Sequence, residues 1–188
     1  MDTVVALYAS SRLVQLPLSV FGVAVSVAIL PSISRAMARG ERDVVRDTLM
    51  HGLRQSFFLV FPAMVGLVVL REPLVRLLFE RGEFGPEDTR LAADALGYAA
   101  LGLLSFSWVK VSIQGFYAAQ QTHIPVLAAT ASMVLNILLN IALVRPMGYL
   151  GLALSTSVSY TVNFLVVYSP LCRKYGRLWN AGFLGALA

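Results

Sequence analysis

The sequence predicts an all-α protein built as a polytopic bundle of about five transmembrane helices. Apolar residues make up 57 % of the 188 residues and charged residues only 13 %, and the mean hydropathy is +0.73. Soluble domains carry about 25 % charged residues, so this chain has too few charges to cover the surface of a soluble globule. High hydrophobicity also excludes intrinsic disorder. The apolar stretches are too long for transmembrane β-strands and do not alternate with polar residues as such strands do.

Five apolar stretches of about 18–27 residues are each long enough to cross a hydrocarbon core of roughly 30 Å. We expect Pro31 to end the first of them, and a basic segment to follow Pro170. The predicted bundle covers residues 1–170, and residues 171–188 are predicted to form the basic juxtamembrane segment and the start of a truncated next span. The predicted spans lie at about 4–30, 53–70, 91–113, 125–144 and 151–169.

The net charge of +5 has an uneven distribution between the two predicted faces of the membrane. One side of the membrane holds the 31–52 loop, the 114–124 loop and the C-terminal tail, and with Arg54 and Lys110 at the span ends it carries nine of the 15 Lys and Arg residues. The positive-inside rule assigns this side to the cytoplasm. The anionic inner leaflet is therefore the expected partner of this charge. Basic stretches interleaved with aromatic residues, which are typical of nucleic-acid binding, do not occur. The N-terminus then starts outside, which suggests a fragment of a larger transporter or channel.

The residue types needed for covalent or metal chemistry are sparse. The single cysteine, Cys172, cannot form an intrachain disulfide, and His51 and His123 stand alone in predicted loops. No Ser/His/Asp arrangement, phosphate-cradling loop or facing pair of carboxylates is found. We predict no metal site, no cofactor and no enzymatic activity, and we expect a protein that moves something across the membrane.

Arg12 is the ionisable residue placed deepest in a predicted span. Charged groups at membrane depth are costly, which makes each a candidate functional residue. No carboxylate lies three or four residues from Arg12. The guanidinium either faces a hydrated cavity and binds an anion with two hydrogen bonds, or it extends to the outer headgroups or pairs with Asp94. The sequence leaves these alternatives open.

Other polar residues in the spans have both structural and functional interpretations. Asp94 is either a helix N-terminal acid favoured by the dipole or a cavity carboxylate. Asn136 and Asn140 are four residues apart on one helical face, where hydrogen bonding between helices is the expected role. Pro17 is predicted to kink the helix that carries Arg12 and to act as a hinge or a fixed bend. Lys110 lies near a predicted span end, where extension of its ammonium to the headgroups is expected.

Four motifs, in order along the chain, resemble those of the MurJ/MviN family. This family comprises lipid II flippases of the MOP exporter superfamily, and the resemblance covers about residues 4–170. The motifs are YASSRLVQLPL at 8–18, LFERGEF at 78–84 with Asp88-Thr89, FYA at 116–118 with Thr122 and Pro125, and the Asn136/Asn140 helix followed by GLALSTS at 151–157.

The resemblance implies that the chain is the C-terminal lobe of a two-lobed transporter of the bacterial inner membrane. Such a transporter carries the lipid-linked peptidoglycan precursor outward by alternating access, in cell-wall synthesis. Arg12 corresponds to a cavity arginine proposed to contact the pyrophosphate, with Ser11 and Gln15 as neighbouring candidate cavity residues. Ser11 stands where the family often has an acid. The missing N-terminal lobe is an implied partner.

Two other functions remain open. One is another exporter of the same superfamily, carrying polysaccharide repeat units or drugs. The other is an inactive fragment or a scaffold for the cell-wall machinery.

Overall fold

The computed structural model describes residues 3–82 and 84–176, and within them it contains helices and no strands. Five helical stretches in this part of the chain are long and apolar enough to cross a membrane: Tyr8–Ala38, Arg42–Val69, Pro86–Ala118, His123–Met147 and Tyr149–Tyr175. The all-α bundle with five spans is thus confirmed. The elements are α1 (Thr3–Pro17), a π-helical segment (Leu18–Val23), α2 (Ala24–Ala38), α3 (Arg42–Val69), α4 (Arg71–Phe79), α5 (Pro86–Ala100), α6 (Leu103–Ala118), α7 (His123–Met147) and α8 (Tyr149–Tyr175).

Pro31 does not end the first helix, so that expectation is wrong, and Pro170 likewise lies inside a helix. α2 continues past Pro31 to Ala38, and α8 continues past Pro170 to Tyr175. Pro31 lacks the N–H that would bond to the Val27 carbonyl, yet the residues on both sides of it remain helical. Membrane helices tolerate proline in this way. The first span ends at Ala38, and Gly40, with a φ of +74°, separates α2 from α3.

The third span is interrupted, which the sequence did not predict. α5 ends at Ala100 and α6 begins at Leu103. At the break, the Gly102 N–H bonds to the Ala99 carbonyl at 3.2 Å, three residues back instead of four. The Tyr98 carbonyl thereby loses its usual helical partner, and the Ser157 hydroxyl on α8 donates to it at 2.6 Å. A side chain from a neighbouring helix thus completes the backbone hydrogen bonding of the broken span.

The core lies in three clusters along the bundle. The largest joins α2, α3, α6 and α8 and contains the fully buried Ile33, Leu49 and Val111. A second joins α1, α4 and α5 around Val75 and Leu96 at the other end. A third lies between them and contains Val60, Leu67, Ala100 and Leu103. Because Arg12 is next to a member of the second cluster, Leu13, the core fixes the orientation of its helix.

α7 lies at the edge of the bundle and packs mainly on α8. Only Pro125, Ala128 and Ser132 of α7 are buried. The tight turn between α7 and α8 is made at Gly148, which has a φ of +58° that glycine adopts without strain. Of the predicted juxtamembrane segment, residues 171–175 belong to α8. The predicted start of a further span, at 178–188, lies outside the described residues.

Candidate functional site

An open cavity of about 610 Å³ lies where α1 and the π-helical segment meet α4 and α6. Its polar lining comes from Arg12, Gln15, Ser19 and Lys110. The remaining lining side chains are apolar: Leu13, Leu16, Leu18, Val23, Leu78, Phe79 and Phe106. Among the described residues no carboxylate lines this cavity, and the charged side chains that do line it, Arg12 and Lys110, are cationic. A cavity with cationic groups on an apolar wall favours an anionic ligand, because charge interactions weaken less there than in bulk water.

The packing of α1 directs Arg12 into the cavity. Ala9 and Leu13, four residues apart, are 2 % and 5 % exposed and form the buried face of the helix, with Leu13 packed in the core cluster shared with α4 and α5. Arg12 lies on a different face of the same turn, and its side chain is exposed. The first alternative for Arg12, that it faces a cavity, therefore matches the geometry of this lobe.

Arg12 has no counter-ion among the residues that the structure describes. One guanidinium nitrogen donates a hydrogen bond to the Tyr8 hydroxyl, and the guanidinium carbon lies 4.7 Å from the centre of the Tyr8 ring. Among the described residues, the ion pairs join other side chains. Tyr8 thus holds the guanidinium in place on one side without neutralising it. The remaining N–H groups are free to bind an anion.

The π-helical segment begins directly after Pro17, the predicted hinge. Proline has no N–H to bond with the carbonyl of Leu13, and its ring disfavours a regular α-helix at that point. The chain responds by widening into the six π-helical residues Leu18–Val23, which supply Leu18, Ser19 and Val23 to the cavity wall. Such widened turns are frequent at functional sites. The hinge motion itself stays a prediction.

Gln15 and Ser11 take different positions beside Arg12. Gln15 lines the large cavity with Arg12 and also a smaller neighbouring cavity of about 150 Å³. Ser11 lines only the smaller one, and its hydroxyl donates to the Tyr8 carbonyl at 2.8 Å. The structure therefore brings Arg12 and Gln15 together and leaves Ser11 in the adjoining space.

Lys110 is the cavity residue that the sequence interpretation missed. Its ammonium lies 5.1 Å from the centre of the Phe106 ring, inside the same cavity as Arg12. Near a span end, a lysine is usually interpreted as extending to the headgroups. The only sequence signal for the alternative was the aromatic residue four positions earlier, on the same helical face.

Asp94 lies outside the large cavity, and it pairs with Arg71, whereas the sequence analysis considered Arg12 as its partner. Its carboxylate is 3.4 Å from Arg71 Nη2, and both side chains are about half exposed. The pair joins α4 to α5. The alternative in which Asp94 neutralises Arg12 is therefore not what the structure shows.

Asn136 and Asn140 form part of the contact between α7 and α8. Asn140 Nδ2 donates to Asn136 Oδ1 at 3.0 Å, and the Ser155 hydroxyl on α8 donates to Asn140 Oδ1. Asn136 also lines a separate polar cavity of about 300 Å³ between these helices. Neither asparagine lines the cavity that contains Arg12.

Within the described part of the chain, three or more His, Cys, Asp or Glu side chains do not cluster in a way that could hold a metal ion.

The described helices have the fold of solved membrane transporters. An inward-facing multidrug resistance transporter of the MATE family, of the MOP superfamily, superposes with a TM-score of 0.76 at 17 % identity, over 96 % of this chain and 42 % of its own. That likeness shows the fold alone. Residues 2–185 match the family model described as Lipid II flippase MurJ. The chain belongs to the MurJ family, and it is a multi-pass protein of the bacterial inner membrane.

Individual relatives agree with the family match. A probable lipid II flippase MurJ of Vibrio cholerae is 42 % identical over 88 % of this chain, and one of Haemophilus influenzae is 36 % identical over 92 %. The alignments cover 31 % and 37 % of those proteins. A solved structure of lipid II flippase MurJ in an inward closed conformation superposes with a TM-score of 0.83 at 30 % identity, over 90 % of this chain and 36 % of its own. The chain thus spans about a third of the length of the curated relatives it matches.

Proposed function

We propose that the chain is the C-terminal lobe of a lipid II flippase, and that Arg12 binds the pyrophosphate of the substrate. The observation that carries the proposal is the Arg12 guanidinium, which lines a cavity of about 610 Å³ and has no carboxylate partner among the described residues. Membership of the MurJ family supplies the substrate class. The cavity supplies the group that recognises the substrate, because the planar guanidinium of Arg12 can donate two parallel hydrogen bonds to phosphate oxygens.

Transport of a pyrophosphate poses one dominant physical problem. The anion cannot enter hydrocarbon without losing its hydration, and that loss costs many kcal/mol. An open cavity with a fixed cation and hydrogen-bonding groups replaces part of the hydration shell. Arg12 would provide the charge, and Gln15 an amide that both donates and accepts hydrogen bonds. The sugars and peptide remain in the water of the cavity.

In this proposal the lobe binds the substrate and moves with it, and it makes or breaks no covalent bond. Its partners are the lipid-linked pyrophosphate substrate, the surrounding lipids with their anionic inner leaflet, and the N-terminal lobe of the same transporter. Nucleic acid has no part in it. The two lobes would rock about the site in alternating access, as expected for transporters built from two halves.

Rescue of a depleted strain tests the proposed function. The full-length transporter that contains this lobe is expressed in bacteria depleted of their own flippase, and lipid II in the outer leaflet is measured with an enzyme that cleaves it only there. The unsubstituted protein should restore growth and outer-leaflet lipid II. Arg12→Ala should abolish both while membrane insertion stays normal, and Arg12→Lys should restore them in part, because an ammonium keeps the charge without the paired hydrogen bonds.

Arg71→Ala is the matched control, because Arg71 lies outside the cavity and pairs with Asp94. It should transport at the unsubstituted rate. Failure of the unsubstituted, normally inserted protein to rescue growth would reject the lipid II assignment in favour of another exported substrate. Full transport by Arg12→Ala would remove Arg12 from the mechanism.

A further inference from the structure

Three of the five spans have an interruption in their helical hydrogen bonding. The first span widens into the π-helical segment Leu18–Val23 after Pro17, and the third is broken between α5 and α6 around Gly102. The second span contains Pro62, which has no N–H to bond with the Phe58 carbonyl. Helices bend at such prolines and widened turns, because fewer hydrogen bonds hold the turns together there. Each of these spans therefore has a position at which bending costs little.

A buried contact joins the same three spans. A Cβ atom on residue 22 would lie 2.9 Å from the Ser107 hydroxyl oxygen, so the first span packs closely on α6 at this point. The Ser107 hydroxyl also shares a hydrogen bond with the Ser56 hydroxyl on α3, and both serines are fully buried. The contact therefore fixes the relative depth of the three spans.

A second contact gives the directions of these helices. A Cβ atom on residue 52 of α3 would lie 3.0 Å from Ile29 of α2 and 3.2 Å from Val111 of α6. From the first contact to the second, residue numbers rise in the first span and in α6 and fall in α3. The first span and α6 therefore run in the same direction, and α3 runs in the opposite one.

The three interruptions lie at one level of the bundle. In the first and third spans, Pro17 and Gly102 each come five residues before the residue that makes the buried contact. In the antiparallel α3, Pro62 comes six residues after Ser56. At a rise of about 1.5 Å per residue, all three lie roughly 7–9 Å from the contact, on the same side of it. The third core cluster joins side chains from beside all three interruptions: Leu18, Phe21, Val60, Ala100 and Leu103.

Separate core clusters hold the parts of the lobe on the two sides of this level. On the outer side, toward α4, the second cluster joins α1, α4 and α5, which we call the outer unit. On the inner side, the first cluster joins α2 and α6 to the inner parts of α3, α7 and α8, which we call the inner unit. Close-packed cores move as wholes and resist continuous deformation. Bending is therefore concentrated at the level between the two units.

The large cavity lies across the boundary between the units. Arg12 and Leu13 of α1 and Phe79 of α4 line it from the outer unit. Phe106 and Lys110 of α6 line it from the inner unit, and the π-helical segment forms the wall between the two sets. A change in the angle between the units therefore changes the width of this cavity.

We propose that the lobe contains an internal hinge at this level, where the outer unit tilts on the inner unit and so widens or narrows the cavity. The Ser56–Ser107 contact is the pivot, because it is buried and joins three spans close to their bends. The helix α8 crosses the level unbroken and supports it through the hydrogen bond from Ser157 to the Tyr98 carbonyl. The inference concerns the motion of the lobe and does not depend on which substrate the cavity binds.

Distances between spin labels measure this motion. The labels are attached to introduced cysteines in a full-length transporter in which Cys172 and any other cysteines are replaced by serine, held in lipid nanodiscs. One label is placed at Val44 in the inner unit, and the second at Leu77 of α4 or at Arg90 of α5, all of them exposed positions. Labels at Val44 and Val126, both in the inner unit, form the control pair. The two pairs across the level should have distance distributions at least about twice as wide as the control pair.

The unsubstituted hinge is judged on these distances, with lipid II absent and present. The inference is overturned if both pairs across the level are as narrow as the control pair in the two conditions. It is also overturned if only the Leu77 pair is wide, because α4 then moves alone and the outer unit is not a single body. Lipid II transport is measured in parallel. Its absence would reject the proposed function, whereas the distances alone decide on the hinge.

Pro17→Ala tests whether the interruption permits the motion. Alanine supplies the missing N–H and favours a regular helix, so the distributions across the level should narrow toward that of the control pair. The rate of transport should fall at least about fivefold, as expected when a hinge is stiffened. Pro31→Ala is the matched control, because Pro31 also lies inside a helix but within the inner unit. It should change neither quantity, and equal widths in the two variants would contradict a hinge at Pro17.

Discussion

A Cβ atom on residue 102 would lie 2.8 Å from the Cα of Ser157, so Gly102 allows the broken third span to touch the backbone of α8. At the same place the Ser157 hydroxyl donates to the Tyr98 carbonyl that the break has freed. The close approach and the hydrogen bond depend on each other, because the hydroxyl reaches the carbonyl only if the two backbones are in contact. The break is therefore a built element of the fold, held in place from α8.

Gly102→Ala should destabilise the lobe by about 1–3 kcal/mol, since the added methyl group forces α8 away from the break. Gly66→Ala is the control. Gly66 lies within α3, and a methyl group added there would meet no neighbouring side chain within 4 Å. Alanine at this position should therefore be neutral or stabilising by up to about 1 kcal/mol. Thermal unfolding of the full-length transporter in detergent measures both. Equal melting temperatures for the two variants would contradict the backbone contact.

Ser157→Ala should cost about 1–2 kcal/mol, because it leaves the Tyr98 carbonyl without a partner in an environment that excludes water. Ser159→Ala is a close control: Ser159 is equally buried on α8, but its hydroxyl has no hydrogen-bond partner among the described residues. Its removal should cost less than about 0.5 kcal/mol. The two variants are compared by denaturation in detergent. A loss for Ser157→Ala no larger than the loss for Ser159→Ala would mean that the hydrogen bond to Tyr98 contributes nothing measurable.

Asp94→Asn should change stability by less than about 1 kcal/mol, since an ion pair with both partners about half exposed contributes little. Lipid II transport should also stay within about twofold of the unsubstituted rate, because Asp94 does not line the cavity that contains Arg12. Transport in proteoliposomes and thermal unfolding check the two parts. Loss of transport in a stable Asp94→Asn protein would return this carboxylate to the mechanism.

The spans could be predicted from the sequence because each needs only a long apolar run. Helix ends were less predictable. Pro31 suggested an end, yet α2 continues past it, since proline leaves the rest of a turn intact when neighbouring groups satisfy the backbone. The break near Gly102 lies in an uninterrupted apolar run, and its cause is the packing of Ser157 from a distant part of the chain.

The candidate site shows the same division between local and tertiary information. Arg12 could be identified from its sequence alone, because an isolated arginine in an apolar span is rare and costly. Lys110 could not, because its role depends on which helix faces α6. Asn136 and Asn140 were placed correctly on one face, but only the structure shows Ser155 as their partner on α8. Asp94 could not be assigned to Arg71 before α4 and α5 were placed side by side.

Thiol labelling at position 12 tests most directly whether this side chain faces water and meets a diphosphate. Arg12→Cys is made in the cysteine-free full-length transporter and treated with a hydrophilic, cationic thiol reagent, with and without undecaprenyl diphosphate. We expect rapid labelling without the lipid and strong protection when it is present, whereas undecaprenol, which lacks the phosphates, should not protect. A cysteine that resists the reagent, or that is labelled equally under all three conditions, would contradict the assignment of Arg12 to the diphosphate.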